Sequence, residues 1–294
     1  MPDTSLAKYH ALGNDYIVVD PAKADIALNK QNIKLLCDRH FGLGSDGILY
    51  GPLETAVSGV FCKFRIFNPD GSEAEKSGNG IRIFFKYLLD AGYIQGTNSF
   101  RLETKGGIVQ ARLIRKEGGI IEVDMGKISF SSADIPLAGK KREVISEPLK
   151  IDGKLYNITC VSIGNPHCVI IAKETSKDVI CKIGPLIENN PVFPNRINVQ
   201  LVKIINDKTI KIEIWERGAG YTLASGSSSC AAAAAAYKLG YVGNKIKVIM
   251  PGGELKITIM ENNHALLRGS VNFVYQGILG GEIKRILSEL AHIY

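Results

Sequence analysis

The sequence of 294 residues contains no apolar run that approaches the roughly 20 residues of a membrane-spanning helix. Its N-terminal segment, MPDTSLAKYH, lacks the apolar core of a secretory signal peptide. The six cysteines are scattered, with no CxxC pair and no metal-ligand spacing, which indicates reduced and mostly buried thiols. These absences predict a soluble, cytoplasmic protein with no membrane partner.

Concentrated positive charge is also missing, although the formal net charge is +7. The densest basic cluster is the KKR tripeptide at 140–142, so a solvated basic surface is predicted and nucleic-acid binding is not. There is no Walker pattern, and the GNG at 78–80 lacks the strand context and downstream acid of a dinucleotide site. The sequence therefore predicts no metal, pyridoxal phosphate or nucleotide cofactor.

What the chain does contain is an internal repeat. Three pairs of similar segments occur in the same order, about 150 residues apart. The pairs are LGNDYIVVD at 12–20 with IGNPHCVII at 163–171, KSGNGIRIFFKYLLDAGYI at 76–94 with ASGSSSCAAAAAAYKLGYV at 224–242, and KGGIVQARL at 105–113 with PGGELKITI at 251–259. We predict two similar domains facing one another across a cleft, one formed by 1–118 plus 277–294 and the other by 119–276.

Hydrophobic periodicity indicates the architecture of each domain. Long buried helices are predicted at 78–91 and 226–239, the second with six consecutive alanines that permit close packing. Alternating apolar and polar residues predict strands at 61–67, 100–105, 108–114, 208–216 and 244–250. The predicted fold class is therefore α+β, with two pseudosymmetric domains that are each a curled, mostly antiparallel sheet wrapped around a central helix.

The beginnings of the two predicted helices share an unusual composition. Ser77 precedes Gly-Asn-Gly and Ser225 precedes Gly-Ser-Ser-Ser. Small residues at the positive end of a buried helix leave backbone N–H groups available, a geometry that binds a carboxylate or phosphate. Serine is equally an ordinary N-cap residue, so both capping and anion binding stay open on local sequence alone.

Further polar residues lie in turn-like segments or next to a predicted strand. Glu216 and Arg217 precede Gly-Ala-Gly; a guanidinium suits a carboxylate, and a carboxylate suits an ammonium group. Asparagine often serves only as a turn former, which is the alternative to a binding role here. Four asparagines belong to this set: Asn14, Asn68, Asn165 and Asn198. Together these groups suit a small substrate with two ammonium and two carboxylate groups.

The same residues lie in motifs spread over almost the whole chain, namely HALGNDYIVVD, DRHFGLGSDGIL, FNPDGSEAEKSGNGIR, GNPHCV, NRINV, ERGAG and PGGEL. In these motifs the chain resembles the diaminopimelate epimerase family. The resemblance implies the pseudosymmetric fold and a cofactor-independent epimerase that interconverts LL- and meso-2,6-diaminopimelate in lysine and peptidoglycan-precursor biosynthesis. It also implies a small-molecule amino-acid substrate and a homodimer.

The resemblance also implies roles for individual residues. In the family, one thiolate removes the α-proton and a thiol on the opposite face returns one, and the matching positions are Ser77 and Ser225. The implied carboxylate-binding positions at the helix starts are Gly78, Asn79, Gly80, Gly226 and Ser227. Asn14 is implied at the reacting end, and His167 and Glu216 are implied to orient or polarise the acid/base pair. The distal stereocentre is implied to contact Asn68, Asn165, Asn198, Glu216 and Arg217.

The chain departs from the family at its most important positions, because both acid/base cysteines are serines here. An alkyl hydroxyl is less acidic than a thiol by roughly five pKa units, or about 7 kcal/mol. Serine therefore needs strong activation, for which His167 is the only imidazole expected nearby. The same near-isosteric change at both positions, with six other cysteines kept, favours paired Cys→Ser substitutions that inactivate an epimerase.

Natural divergence is the second explanation. It comprises a cofactor-independent racemase of another amino acid, such as histidine, a dehydratase that uses serine, and a non-catalytic amino-acid-binding homologue. Gly47, Tyr221 and Ser228 also vary from patterns associated with the family, so this explanation stays open.

Overall fold

The computed structural model describes residues 4–95 and 99–291. Contacts within the chain divide it into two compact units: the first comprises Met1–Val123 and Gly269–Tyr294, and the second comprises Asp124–Arg268. Within the described ranges, no helix has both the length and the apolar character needed to cross a bilayer.

The first unit consists of one sheet, a central helix and two outer helices. In chain order its elements are β1 (Ser5–Ala11), β2 (Asn14–Val19), α1 (Lys30–Cys37), β3 (Ile48–Leu53), β4 (Cys62–Phe67), β5 (Glu73–Ala74), α2 (Gly78–Asp90), β6 (Ser99–Thr104), β7 (Gly107–Arg115), β8 (Ile120–Lys127), β18 (Asn272–Ile278) and α5 (Gly281–Ala291). Strand β8 extends four residues past the division between the units.

The sheet of the first unit is mixed. Strand β2 is antiparallel to β1 and parallel to β3, while β4 is antiparallel to β3 and parallel to β6. Helix α2 contacts β1, β2, β3 and β7, and ten of its thirteen residues are buried, which makes it the core of the unit. The outer helices α1 and α5 contact each other and contribute Ile33, Leu36 and Leu287 to a second apolar cluster with Ile17 of β2.

The second unit is built in the same way with one outer helix. In chain order its elements are β9 (Glu147–Ile151), β10 (Lys154–Ser162), β11 (Pro166–Ile171), α3 (Lys177–Glu188), β12 (Asn198–Asn206), β13 (Thr209–Glu216), β14 (Gly220–Thr222), α4 (Gly226–Lys238), β15 (Lys245–Met250), β16 (Gly253–Ile259) and β17 (His264–Gly269).

The sheet of the second unit repeats the pairings of the first. Strand β11 is antiparallel to β10 and parallel to β12, while β13 is antiparallel to β12 and parallel to β15. Helix α4 contacts β10, β11, β12, β13, β15 and β16, and all six alanines at 231–236 are buried against them. Alanine side chains allow these close contacts at no cost to helix propensity.

The two units therefore share one order of elements: a hairpin, an outer helix, two antiparallel strands, a short strand, the central helix and a further hairpin. This repeat confirms the predicted α+β class and the sheet curled around one helix in each domain. Helices α2 and α4 begin where the sequence predicts and end one residue earlier. The outer helices α1, α3 and α5 were not predicted from the sequence.

Candidate active site

The start of α2 is capped by Ser77. Its backbone is extended, with φ of −140°, and its Oγ accepts a hydrogen bond from the N–H of Gly80 at 3.0 Å. A Cβ at position 80 would lie 3.3 Å from that Oγ, so the glycine permits the close approach. Ser77 is thus an N-cap whose hydroxyl is fixed at the positive end of the helix.

Asn14 is tied to the same helix start. Asn79 donates from Nδ2 to Asn14 Oδ1 at 3.0 Å, and the buried Arg82 donates to Asn79 Oδ1 at 2.9 Å. Asn14 in turn donates to Asp46 Oδ2 at 3.0 Å. This chain of contacts fixes the orientation of both amides, so the hairpin turn before β2 and the first turn of α2 are held together.

The DRHFGLGSDG segment supports that turn, a role the sequence analysis did not assign. Arg39 donates to Asp15 Oδ1 and to Asp46 Oδ1, each at 2.8 Å, and Lys8 lies 2.7 Å from the other oxygen of Asp15. Burial opposes the charge on Asp15, but hydrogen bonds from Arg39 and Lys8 hold the pKa of that carboxyl below its ordinary value. The Asp15 carboxylate is thus ionised, and through Arg39 it is linked to Asp46, which accepts the hydrogen bond from Asn14.

Tyr16 provides a further contact of the Ser77 side chain. Its side chain is buried, and its Oη lies 3.3 Å from Ser77 Oγ. The ring packs against Gly47, where a Cβ would lie 2.7 Å from the ring and 2.5 Å from the carbonyl oxygen of Phe67. Nothing larger than glycine fits at position 47 while the ring occupies this place. Tyr16 was not predicted as a site residue from the sequence.

Asn68 belongs to a turn after β4. Its Nδ2 donates to Ser72 Oγ at 2.9 Å, and its carbonyl oxygen accepts from the N–H of Gly71 at 2.9 Å. The structure thus gives Asn68 a turn-forming role, which is one of the two roles that the sequence left open.

The start of α4 is capped by Ser225, which is only 5% exposed. Its Oγ lies 3.4 Å from the N–H nitrogen of Ser228 and 3.4 Å from Ser227 Oγ. Asn165 donates to Ser227 Oγ, also at 3.4 Å. Asn165 therefore relates to α4 as Asn14 does to α2, because each asparagine side chain contacts the second residue of the central helix.

His167 is fully buried, and its Nε2 lies 3.0 Å from Asn165 Oδ1. Because an amide oxygen only accepts, Nε2 carries the proton. Burial lowers the pKa of His167 to about 3; a side-chain hydrogen bond with Gln200 opposes this shift and the charge of Arg217 contributes to it, so the imidazole is neutral and weakly basic. Its contact is with Asn165 and not with Ser225, and it therefore provides no direct activation of the Ser225 hydroxyl.

Gln200 is a buried residue that the sequence analysis missed. It is fully buried on β12 and donates from Nε2 to Ser228 Oγ at 3.0 Å. Ser229 donates to the carbonyl oxygen of Ser225 at 2.7 Å. The serines that follow Ser225 are therefore hydrogen-bonded within the unit, and they hold the first turn of α4 in place.

Asn198 and Arg217 meet through the backbone. Asn198 donates to the carbonyl oxygen of Pro166 at 2.8 Å and accepts from the N–H of Arg217 at 2.9 Å. The exposed guanidinium of Arg217 donates to the carbonyl oxygen of Asn195 at 3.1 Å. It forms no ion pair with a carboxylate anywhere in the described part of the chain.

The loop that carries Arg217 is held by a carboxylate that sequence reasoning also missed. Glu188, at the end of α3, accepts from Trp215 Nε1 at 2.7 Å, from the N–H of Gly218 at 2.8 Å and from Arg196 at 3.2 Å. Three donors on one buried carboxylate fix the loop on both sides of Arg217. Separately, Glu216 accepts a hydrogen bond from Thr222 Oγ1 at 3.3 Å.

Comparison with known proteins decides the family. A family model described as diaminopimelate epimerase matches residues 6–131 and 159–274. The chain is 51% identical over 276 residues to diaminopimelate epimerase 2 of Nostoc sp., covering 94% of this chain and 95% of the relative. The chain belongs to the diaminopimelate epimerase family.

Other relatives agree with this assignment. Diaminopimelate epimerase of Pelotomaculum thermopropionicum is 40% identical over 276 residues, which covers 92% of this chain and 96% of that protein. A solved structure of hydroxyproline epimerase from Agrobacterium vitis superposes with a TM-score of 0.67 at 15% identity, covering 94% of this chain and 92% of that one. The similarity to the hydroxyproline epimerase structure concerns the fold alone.

For this member of the diaminopimelate epimerase family, the structure groups the implicated residues in two sets. The first unit gathers Ser77, Gly78, Asn79 and Gly80 around Asn14 and leaves Asn68 in a separate turn. The second unit gathers Ser225, Gly226, Ser227, Asn165 and His167, and links Asn198 to Arg217. Each set can present helix N–H groups to an anion and a serine hydroxyl to a reacting carbon.

Proposed function

We propose that this diaminopimelate epimerase family member binds 2,6-diaminopimelate and epimerises it only slowly, because Ser77 and Ser225 replace the two acid/base thiols. The observation that carries the proposal is the same arrangement in both units: an N-capping serine, and an asparagine bonded to the second residue of the central helix. The two-base reaction assigns one serine to each face of the α-carbon.

The helix starts supply the binding site for the α-carboxylate in this proposal. Their backbone N–H groups lie at the positive ends of two buried helices, where negative charge is stabilised. The same groups stabilise the charge that develops when the α-proton leaves. The residues concerned are Gly78, Asn79, Gly80, Gly226 and Ser227, with Asn14 at the reacting end.

The distal half of the substrate is assigned to residues of both units. Arg217 has no carboxylate partner within the described chain, so its planar guanidinium can pair with the distal carboxylate. Its backbone is fixed by Asn198, and Glu216 provides a charge for the distal ammonium group. Asn68 and Asn165 complete the proposed distal set.

Slow turnover follows from the surroundings of the serines. Ser77 contacts an N–H group and a phenol, and Ser225 contacts an N–H group and another serine. None of these neighbours is a strong base at neutral pH, so a deficit of roughly five pKa units relative to a thiol is not overcome. The proposed state of the chain is thus an epimerase with intact binding and weak proton transfer.

The test is to restore both thiols. The double variant Ser77→Cys/Ser225→Cys should raise epimerisation of LL- and meso-diaminopimelate by several orders of magnitude, measured as solvent deuterium incorporation at the α-carbon. Each single variant should stay slow, because each direction needs a base on one face and an acid on the other. The matched control is Ser77→Cys/Ser229→Cys, which places the second thiol one helical turn beyond position 225.

An inert double variant would overturn the proposal. Rapid exchange by the unchanged chain would instead identify a naturally serine-dependent enzyme, and the same assay with histidine and other basic amino acids would then find its substrate. A cytoplasmic location, which the sequence features predict, and a homodimer, which the family resemblance implies, are also part of the proposal.

A further inference from the structure

Tyr16 and His167 occupy equivalent positions in the two units. Each lies two residues after the asparagine that contacts the central helix, on the second strand of the repeated hairpin. The family resemblance assigns His167 to the acid/base machinery of the second unit, but it assigns nothing to Tyr16.

Tyr16 reaches the acid/base position more directly than His167 does. The Tyr16 Oη lies 3.3 Å from Ser77 Oγ, whereas His167 contacts Asn165. Gly47 provides the space that the Tyr16 ring fills, and the side chain is only 6% exposed, so the phenol is held in place. We propose that Tyr16 is a positioning residue and the proton partner of Ser77, acting on the substrate through the serine hydroxyl.

The hydrogen-bonding capacity of Ser77 explains how the phenol would act. A serine hydroxyl has one donor and two acceptor positions, and the N–H of Gly80 occupies one acceptor. If Tyr16 donates, the second acceptor is filled and the serine proton points outward as an acid. If Ser77 donates to a phenolate, one acceptor is open and the serine oxygen serves as a base.

Ser77 and Tyr16 together account for every proton that moves in the proposed step. When Ser77 acts as a base, the α-proton moves from carbon to Ser77 Oγ, the serine proton moves to the Tyr16 phenolate, and the electron pair stays on carbon. When Ser77 acts as an acid, its proton moves to the carbanion and the phenol proton replaces it, which leaves the phenolate. This inference rests on the proposed function, since it places Ser77 at the α-carbon.

The sharpest test does not depend on turnover. In the variant Ser77→Cys, the thiol at position 77 should have a pKa about one unit lower with Tyr16 present than in Tyr16→Phe/Ser77→Cys, because a phenol donor stabilises the thiolate. The pKa is read from the pH dependence of iodoacetamide alkylation at residue 77, resolved from the other six cysteines by peptide mass spectrometry. The matched control is Tyr93→Phe/Ser77→Cys, which removes a phenol that bonds Asp20.

Equal thiol pKa values with and without the Tyr16 hydroxyl would overturn the inference, as would an equal shift in the Tyr93 control. A second measurement uses the serine chain itself. Deuterium exchange at the stereocentre served by Ser77 should fall by about 100-fold in Tyr16→Phe, because this variant lacks the hydroxyl that exchanges a proton with the serine. A complete absence of deuterium exchange at the α-carbon would contradict the proposed function, while the alkylation result would still decide the role of Tyr16.

Discussion

The starts of helices α2 and α4 share the same backbone arrangement, and they differ in the side chains that pack against it. Ser77 bonds the N–H of Gly80 at 3.0 Å, and Gly80 faces Leu49; a Cβ on it would lie 3.1 Å from that side chain. At the equivalent place in the second unit, Ser228 presents a hydroxyl that Gln200 hydrogen-bonds at 3.0 Å. One helix start thus packs on an apolar side chain and the other on a buried amide.

A second difference lies beside the two N-capping serines, Ser77 and Ser225. In the first unit a phenol contacts Ser77, and the neighbouring strand position is Gly47. In the second unit a neutral imidazole is separated from Ser225 by Asn165 and Ser227, and the position paired with His167 is Asn198. The duplicated backbone thus preserves the hydroxyl and the helix dipole in both units, while the groups beside the two hydroxyls have diverged.

The largest expected effect concerns the fifth residue of each central helix. Arg82 is fully buried and donates to Gly78 O at 3.2 Å and to Asn79 Oδ1, whereas Cys230 stands at this position in α4. Arg82→Ala should lower the free energy of unfolding by about 3–5 kcal/mol, because it opens a cavity and leaves two acceptors without this donor. Urea denaturation measures the loss, with Cys230→Ala as the matched change in the other unit, expected to cost about 1 kcal/mol. Similar losses of unfolding free energy in both variants would contradict the expected difference between Arg82 and Cys230.

An intermediate effect is expected from acid. The pKa of His167 is lowered from 6.5 to about 3 in the folded chain, so the unfolded state binds the proton first. Stability from this group is therefore complete above pH 6.5 and falls as the pH drops toward 3, by about 2–3 kcal/mol at about pH 4.5. His167→Gln should remove this part of the acid sensitivity in urea titrations at several pH values. If the variant and the unchanged chain lose stability in parallel, the imidazole is not the group responsible.

The smallest expected effect tests the buried amide directly. Gln200→Leu should destabilise the chain by about 1–3 kcal/mol, since Ser228 Oγ loses its donor. Adding Ser228→Gly reproduces the Leu49 and Gly80 pair of the first unit and should recover at least about 0.5 kcal/mol. A double-mutant cycle on urea midpoints measures this coupling energy. Strictly additive losses would show that the two side chains act independently.

Much of the fold could be predicted because the repeat and the helix starts leave local signals. The Gly-Asn-Gly and Gly-Ser-Ser-Ser segments mark where α2 and α4 begin, and alternation marks strands such as β4 and β13. The outer helix α1 was missed because only part of its short sequence is apolar and its first turn carries no acidic residue. Tertiary packing, rather than local preference, stabilises such a helix.

The residues of the candidate site could be predicted only where a sequence motif marks them. Ser77, Ser225 and the asparagines follow from small residues and turn signals, whereas Glu188 and Gln200 lie within ordinary helical and strand sequence. Their roles arise from contacts between residues 28 to 30 positions apart, which no local pattern encodes. Tyr16 was missed for a related reason, since an aromatic residue in a strand is most often read as core.

The hydrogen bond between Glu188 and Trp215 affects the fluorescence of the protein. Trp215 is the only tryptophan of the chain, and its indole N–H is bound to the carboxylate that also holds Gly218, next to Arg217. Its ring packs directly on α3, where a Cβ at Gly184 would lie 2.5 Å from the indole. Indole emission is sensitive to a neighbouring carboxylate and to water, so the native fluorescence of this protein reports the state of the Arg217 loop without any added label.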